Sequence, residues 1–154
     1  MYVPEDLSLE DVSQLGFQVG AKRMDNGECR IRLMRGTEHG SCGYIATIMP
    51  PEECGWQNSH YHEGVQETYV VQSGWIGYAI LMPDKTARFF VFNEGEVFTT
   101  QCGEIHNVYM PAGAFIHTLK HGDVSRAKDW VGSDTLDALT KSVSEVELLR
   151  LAAR

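Results

Sequence analysis

From Cys29 onward the chain alternates. In residues 29–34, CRIRLM, Arg30 and Arg32 alternate with Ile31 and Leu33, a period of two that predicts a half-buried strand. The apolar pair is expected on the buried face, with the arginines as solvated residues of an edge strand or as a clamp for an anionic substrate at the rim. Residues 44–49 form a second candidate strand, closed by Pro50-Pro51. Residues 67–72 (ETYVVQ) and 75–81 (WIGYAIL) flank Ser73-Gly74, which predicts a hairpin with a two-residue turn. In that register Tyr69 opposes Tyr78 and Glu67 opposes Ile80, so Glu67, Tyr69, Val71, Ile76 and Tyr78 share one interior face. Further strands follow at 87–92, 97–100, 106–110 and 115–120, separated by Pro-Asp-Lys, Asn-Glu-Gly and Pro-Ala-Gly turns. Short strands repeating every about 8–12 residues predict an all-β sandwich or barrel.

Helical periodicity is confined to the ends. Ser8-Leu-Glu-Asp11 has the form of a capping box and predicts a short helix through Leu15. Ser133 is placed to cap a helix carrying Leu136 and Leu139, and Ser144-Glu-Val-Glu147 opens a last one with Leu148, Leu149 and Leu151. The expectation is a single domain over 1–154, with a barrel core at about 44–120 and a helical extension at about 133–154.

Composition narrows the partners. Asp plus Glu number 21 against 13 Lys plus Arg, a net charge of -8. Nucleic acid and anionic membrane are both disfavoured, since each requires a basic footprint. No apolar run is long enough for a membrane span, and the acidic start lacks the form of a signal peptide, so a cytoplasmic location is expected. Cys29, Cys42, Cys54 and Cys102 are scattered with no CxxC pair and are expected as reduced thiols, with Cys54 and Cys102 packed.

The chemistry sits in residues 55–74 and 95–110. His60 and His62 are two apart, so on a strand they point the same way. Glu67 has the wrong parity to join them unless a bulge or bend at Glu63-Gly64 resets the alternation. A third imidazole, His106, follows Gly95 and Gly103. Together the two stretches resemble the signature motifs of the cupin superfamily, and the run from His106 to Gly122 looks like that of small bacterial cupins. His60-x-His62, four residues, Glu67, six residues and Gly74 match the first motif, with Gly55 one position close. Gly95, Gln101-x-Gly103 and His106 follow the second, with Gln101 in place of its usual Pro and Met110 in place of its usual Asn.

The resemblance implies an all-β, cupin-type double-stranded β-helix (jelly-roll) barrel whose metal ligands fall on His60, His62, Glu67 and His106. Three imidazoles and a carboxylate leave coordination positions open on one divalent transition metal: Fe, Mn, Ni, Co or Zn. Tyr69 and Tyr78, as interior phenols, and His117, as a nearby base, are the candidate catalytic residues. Trp56 is either a stacking wall for substrate or a packing residue.

Three functions fit this pattern. One is a metal-dependent isomerase, epimerase or lyase acting on a small sugar or hydroxy/oxo acid. A second is an Fe(II) dioxygenase, and a third is a non-catalytic cupin that binds a small ligand. A homodimer is expected, both from the resemblance and because Leu136, Leu139, Val143, Leu148 and Leu151 exceed what two solvent-facing helices require. Light scattering at micromolar concentration should return twice the chain mass; a monomeric mass would contradict this.

Overall fold

The computed structural model describes residues 6–36, 41–125 and 129–153; the chain start at 1–5 and the last residue, 154, included in the expected domain, lie outside the described residues. The chain begins with helix α1 (Leu9–Gln14), capped as expected by the reciprocal Ser8–Asp11 box. Twelve strands follow. They are β1 (Phe17–Arg23), β2 (Cys29–Gly36), β3 (Ser41–Ile48), β4 (Gly55–Trp56), β5 (His60–Tyr61), β6 (Val65–Ser73), β7 (Trp75–Leu81), β8 (Ala87–Asn93), β9 (Val97–Thr99), β10 (His106–Met110), β11 (Phe115–Gly122) and β12 (Val131–Gly132). Helices α2 (Asp134–Thr140) and α3 (Glu145–Ala152) close the described chain, with Ser133 and Ser144 as N-caps.

The strands form two antiparallel sheets. Sheet one has the order β1-β2-β3-β11-β6-β9; sheet two has the order β12-β5-β10-β7-β8, with β4 also paired to β10. The two stack as a jelly-roll sandwich rather than the closed barrel expected. Between them lies an apolar core of Met49, Tyr69, Val71, Ile76, Val108 and Ile116, bordered by Phe90, Phe92 and Phe98.

The expected hairpin at 67–81 is not one. Strand β6 pairs with β11 and β9, whereas β7 pairs with β10 and β8. Ser73-Gly74 is therefore a crossing between sheets, turned by Gly74 at φ 76°. Tyr69, Val71, Ile76 and Tyr78 still meet in the interior, because the inner faces of the two sheets oppose each other. Strand β2 also reverses expectation. Ile31 and Leu33 are 50% and 39% exposed, while Arg30 and Arg32 turn inward onto the cavity described below.

The C-terminal helices lie on the outer face of sheet two. Leu136 and Leu148 are fully buried there with Trp56, Ala79 and Tyr109, and Leu139 and Val143 pack against them. The apolar stripe that pointed to a partner subunit is thus largely covered by the chain's own sheet. Trp56 is a packing residue in this layer, donating its indole N–H to the Val143 carbonyl at 3.0 Å. All four cysteines are free, and Cys54 and Cys102 are exposed rather than packed. No helix among the described residues is long and apolar enough to cross a membrane.

Gly77 marks the closest approach of helix and sheet. A Cβ there would stand 2.3 Å from Leu148 Cδ2 and 3.1 Å from Tyr109 Cβ. Gly77→Val should therefore force α3 off β7 and lower stability by about 1–3 kcal/mol. Chemical denaturation reads this directly, and an unchanged midpoint would show that the helix does not depend on that contact.

Candidate metal centre

His60 and His106 are register partners on the neighbouring strands β5 and β10 of sheet two. Glu67 comes from β6, in the facing sheet. Residues 62–64 carry the chain across, and this crossing, rather than a bulge within one strand, brings Glu67 round to the histidines. It is held by the Gly103 N–H donating to the His62 carbonyl (2.8 Å) and the Asp123 N–H donating to the Gly64 carbonyl (2.8 Å). Gly122 makes room for it: a Cβ there would lie 2.5 Å from the Gly64 oxygen.

The ligand atoms of His60, Glu67 and His106 all lie within 4.8 Å of one another, and all three residues are buried. His106 Nε2 stands 3.3 Å and His60 Nε2 3.8 Å from Glu67 Oε2. His62 approaches the other oxygen, with Nε2 3.5 Å from Oε1, outside the tighter set.

All three imidazoles are oriented from behind. His60 Nδ1 donates to the Asn58 carbonyl (2.9 Å) and His106 Nδ1 to the Glu104 carbonyl (2.9 Å). His62 Nδ1 faces the Asp129 carbonyl, with the Asp129 carboxylate 3.4 Å away. A carbonyl oxygen only accepts, so in each ring Nδ1 carries a proton and Nε2 is the nitrogen turned toward the centre, able to ligate once unprotonated. The buried His62 Nε2 has no hydrogen-bond partner of its own. A divalent transition metal fits these four donors, three imidazole nitrogens and a carboxylate.

Electrostatics follow the same geometry. Burial alone would raise the Glu67 carboxyl, but hydrogen bonds from His106, His60 and His62 hold it well below the ordinary range. Burial lowers His60 despite the nearby carboxylate. At His62 burial also opposes charge, yet the facing Asp129 and Glu67 carboxylates prevail and raise it to about 9.

The three candidate catalytic residues are placed differently from one another. Tyr69 faces the cavity, but its hydroxyl donates to Glu67 Oε2 at 2.6 Å. Tyr78 stacks on His106 in the core and donates to Glu104 Oε1 at 2.6 Å. Burial first, and then the neighbouring carboxylate, pushes both phenols well above their ordinary pKa, so each is a fixed donor. His117 is not brought to the site. Strand alternation turns it to the outer face of sheet one, where Nδ1 accepts from Tyr44 (2.6 Å) and Nε2 donates to Gln72 (3.1 Å).

Sequence reasoning passed over three cavity residues. Lys120 is the register partner of Glu67 and shares its inner face. Asp129 accepts from Lys120 Nζ at 2.8 Å and from the Ser41 N–H at 3.3 Å. Trp130 stacks on the His60 ring, with centroids 5.4 Å apart, and is itself 54% exposed at the mouth. The period-two pattern of residues 115–120 did carry the Lys120 signal, because it fixes which face Lys120 shares with Glu67's neighbours. Asp129 and Trp130 lie in a polar stretch without periodicity.

No family model and no curated protein matches the sequence. Solved structures do resemble the fold. Oxalate decarboxylase from Bacillus subtilis aligns with a TM-score of 0.55 at 12% identity, over 74% of this chain and 30% of that one. The Lactobacillus farciminis oxalate decarboxylase formate complex gives 0.53 at 11% identity, over 68% and 30%. An uncharacterised double-stranded β-helix protein from Klebsiella pneumoniae gives 0.50 at 19% identity, over 73% and 90%. The chain thus spans about 30% of the length of these decarboxylases. The likeness is one of fold, the double-stranded β-helix named for the Klebsiella protein.

Removing the Tyr69 hydroxyl leaves one oxygen of the Glu67 carboxylate less restrained. Tyr69→Phe should weaken divalent-metal affinity about tenfold, the low end for loss of a partner that orients a ligand, with little change in melting behaviour. Unchanged affinity with turnover lowered about 10²–10⁴-fold would instead make the phenol a general acid toward substrate.

Proposed function

We propose that this cupin fold holds one divalent transition metal on His60, His62, Glu67 and His106 and uses it as an enzyme. The reading is Lewis-acid chemistry of the isomerase, epimerase or lyase type on a small sugar or hydroxy/oxo acid. The observation that carries it is the common orientation of the three imidazoles: each is anchored through Nδ1, and each turns Nε2 toward one buried carboxylate. A metal bound there supplies Lewis acidity, polarising a carbonyl or acidifying a hydroxyl. The Mn(II) centres named for the B. subtilis oxalate decarboxylase are in keeping with such a site.

The chain's own residues do the rest. A cavity of about 520 Å³ opens over Glu67, wide enough for a small polar molecule. Lys120, beside Glu67 on the adjacent strand, is the group placed to hold or deliver a proton, and its ion pair with Asp129 fixes the ammonium. Tyr69 holds the carboxylate in position. Trp130 and the inward face of sheet one restrict access of water.

Elemental analysis of protein purified without added metal should find one divalent transition ion per chain, and His62→Ala should reduce it severely. Turnover should proceed without oxygen uptake, and Lys120→Met should lower it about 10²–10⁴-fold with metal content retained. Oxygen uptake coupled to a substrate on the Fe(II) form would make the protein a dioxygenase. Ligand binding without turnover would leave the small-ligand-binding reading. Metal content unaffected by His62→Ala would remove His62 from the ligand set.

A further inference from the structure

The cavity is lined on its sheet-one side by three cations, and they are not equivalent. Arg30 is neutralised by Glu28, a carboxylate at 0% exposure that also accepts from Asn26 (3.1 Å) and Gln57 (2.9 Å). Lys120 is neutralised by Asp129. Arg32 has no carboxylate partner among the described residues, and its buried Nε has no hydrogen-bond partner at all. Burial first, and then the charge of Arg30 beside it, lowers its pKa from the ordinary value. A guanidinium kept in that position costs folding free energy unless something else completes it.

Register places it relative to the metal centre. Arg32 pairs with Ile45, Ile45 with Thr118, and Thr118 with Tyr69, so the four lie in one row across sheet one. The neighbouring row runs from Met34 through Gly43 and Lys120 to Glu67. Three strand spacings, roughly 14 Å between backbones, separate β2 from β6. The cavity that Arg32 lines together with His60 and Glu67 occupies that interval, leaving room for a small molecule between guanidinium and carboxylate. The floor between them offers the Thr118 hydroxyl.

We propose that Arg32 is the specificity residue of this cavity, binding the carboxylate of a small organic acid whose other end, with its hydroxyl or oxo oxygens, lies toward His60, Glu67 and His106. The planar guanidinium matches a carboxylate in a two-point contact, and a neutral sugar would leave it uncompensated. The inference selects the acid branch of the substrate classes above. It rests on the metal reading only for the far end of the ligand.

The test compares wild type, Arg32→Gln and Arg35→Gln, the last removing the same charge from an exposed position on the same strand. Each is titrated calorimetrically with malonate, succinate and malate, and with erythritol as the neutral control, in metal-loaded and chelator-stripped forms. Wild type should bind at least one acid and not the polyol. Arg32→Gln should lose about 10–100-fold in acid affinity, the usual worth of a charged hydrogen-bonded pair. Arg35→Gln should lose little. Arg32→Gln should keep its metal content and, without ligand, melt at or above the wild-type temperature, which a structural arginine would not do.

Equal acid affinity in Arg32→Gln and wild type, or no acid binding by wild type, overturns the proposal and leaves the metal reading standing. Arg32-dependent acid binding by a protein that holds no metal does the reverse. A melting temperature lowered by the Gln variant with acid affinity intact would make Arg32 a structural residue and overturn the assignment.

Discussion

A carboxylate buried between two β-sheets is expensive unless its surroundings are organised around it, and the Glu67 carboxylate sets the terms for everything near it. Three imidazoles and a phenol converge on its two oxygens, drawn from β5, β10 and β6 and from the crossing between β5 and β6. Each imidazole is in turn fixed by a carbonyl behind it. The carbonyl behind each ring fixes its Nδ1 proton, and the crossing that Gly122 leaves room for brings the charge to the rings. A residue of the same shape without charge would give those groups nothing to converge on.

The two faces of the sandwich divide the work. Sheet two is covered from outside by α2 and α3, which bury Leu136 and Leu148 and make it a rigid backing for His60 and His106. Asp137 of α2 reaches through to the Ser59 N–H and hydroxyl, one residue before His60, at 2.9 and 2.7 Å. Helix α2 therefore braces the strand that carries His60. Sheet one supplies the charged lining of the site, since its inner face presents Arg30, Arg32, Lys120 and Glu67 to the cavity.

Much of this was legible beforehand. The strands from 29 to 49 and from 67 to 120 followed from period-two alternation, though β1, β4 and β12 did not, and the helix starts followed from Ser8, Ser133 and Ser144. The interior placement of Tyr69, Val71, Ile76 and Tyr78 came out correctly from a mistaken hairpin, because opposite faces of a sandwich and opposite positions of a hairpin bury the same parity. What alternation cannot give is which sheet a strand joins. That ambiguity made the turn at Gly74 a hairpin and the step at Glu63-Gly64 a bulge or bend, where both carry the chain from one sheet to the other. It also put the wrong face of β2 inward, where the fold chose Arg30 and Arg32 over Ile31 and Leu33 because the cavity there is polar. Asp129 and Trp130 had no periodic signal, since only tertiary contact brings them to the histidines.

The donors of the site belong to both sheets, and the aromatic pair Phe92 and Phe98, stacked with centroids 3.9 Å apart, lies in the core between the same two sheets. An ion coordinated by His60, His106 and Glu67 would act as a rivet joining sheet two to sheet one. Parting the sheets would then require breaking coordinate bonds before any apolar surface is exposed, so the lifetime of the folded protein would be set by how slowly the rivet lets go.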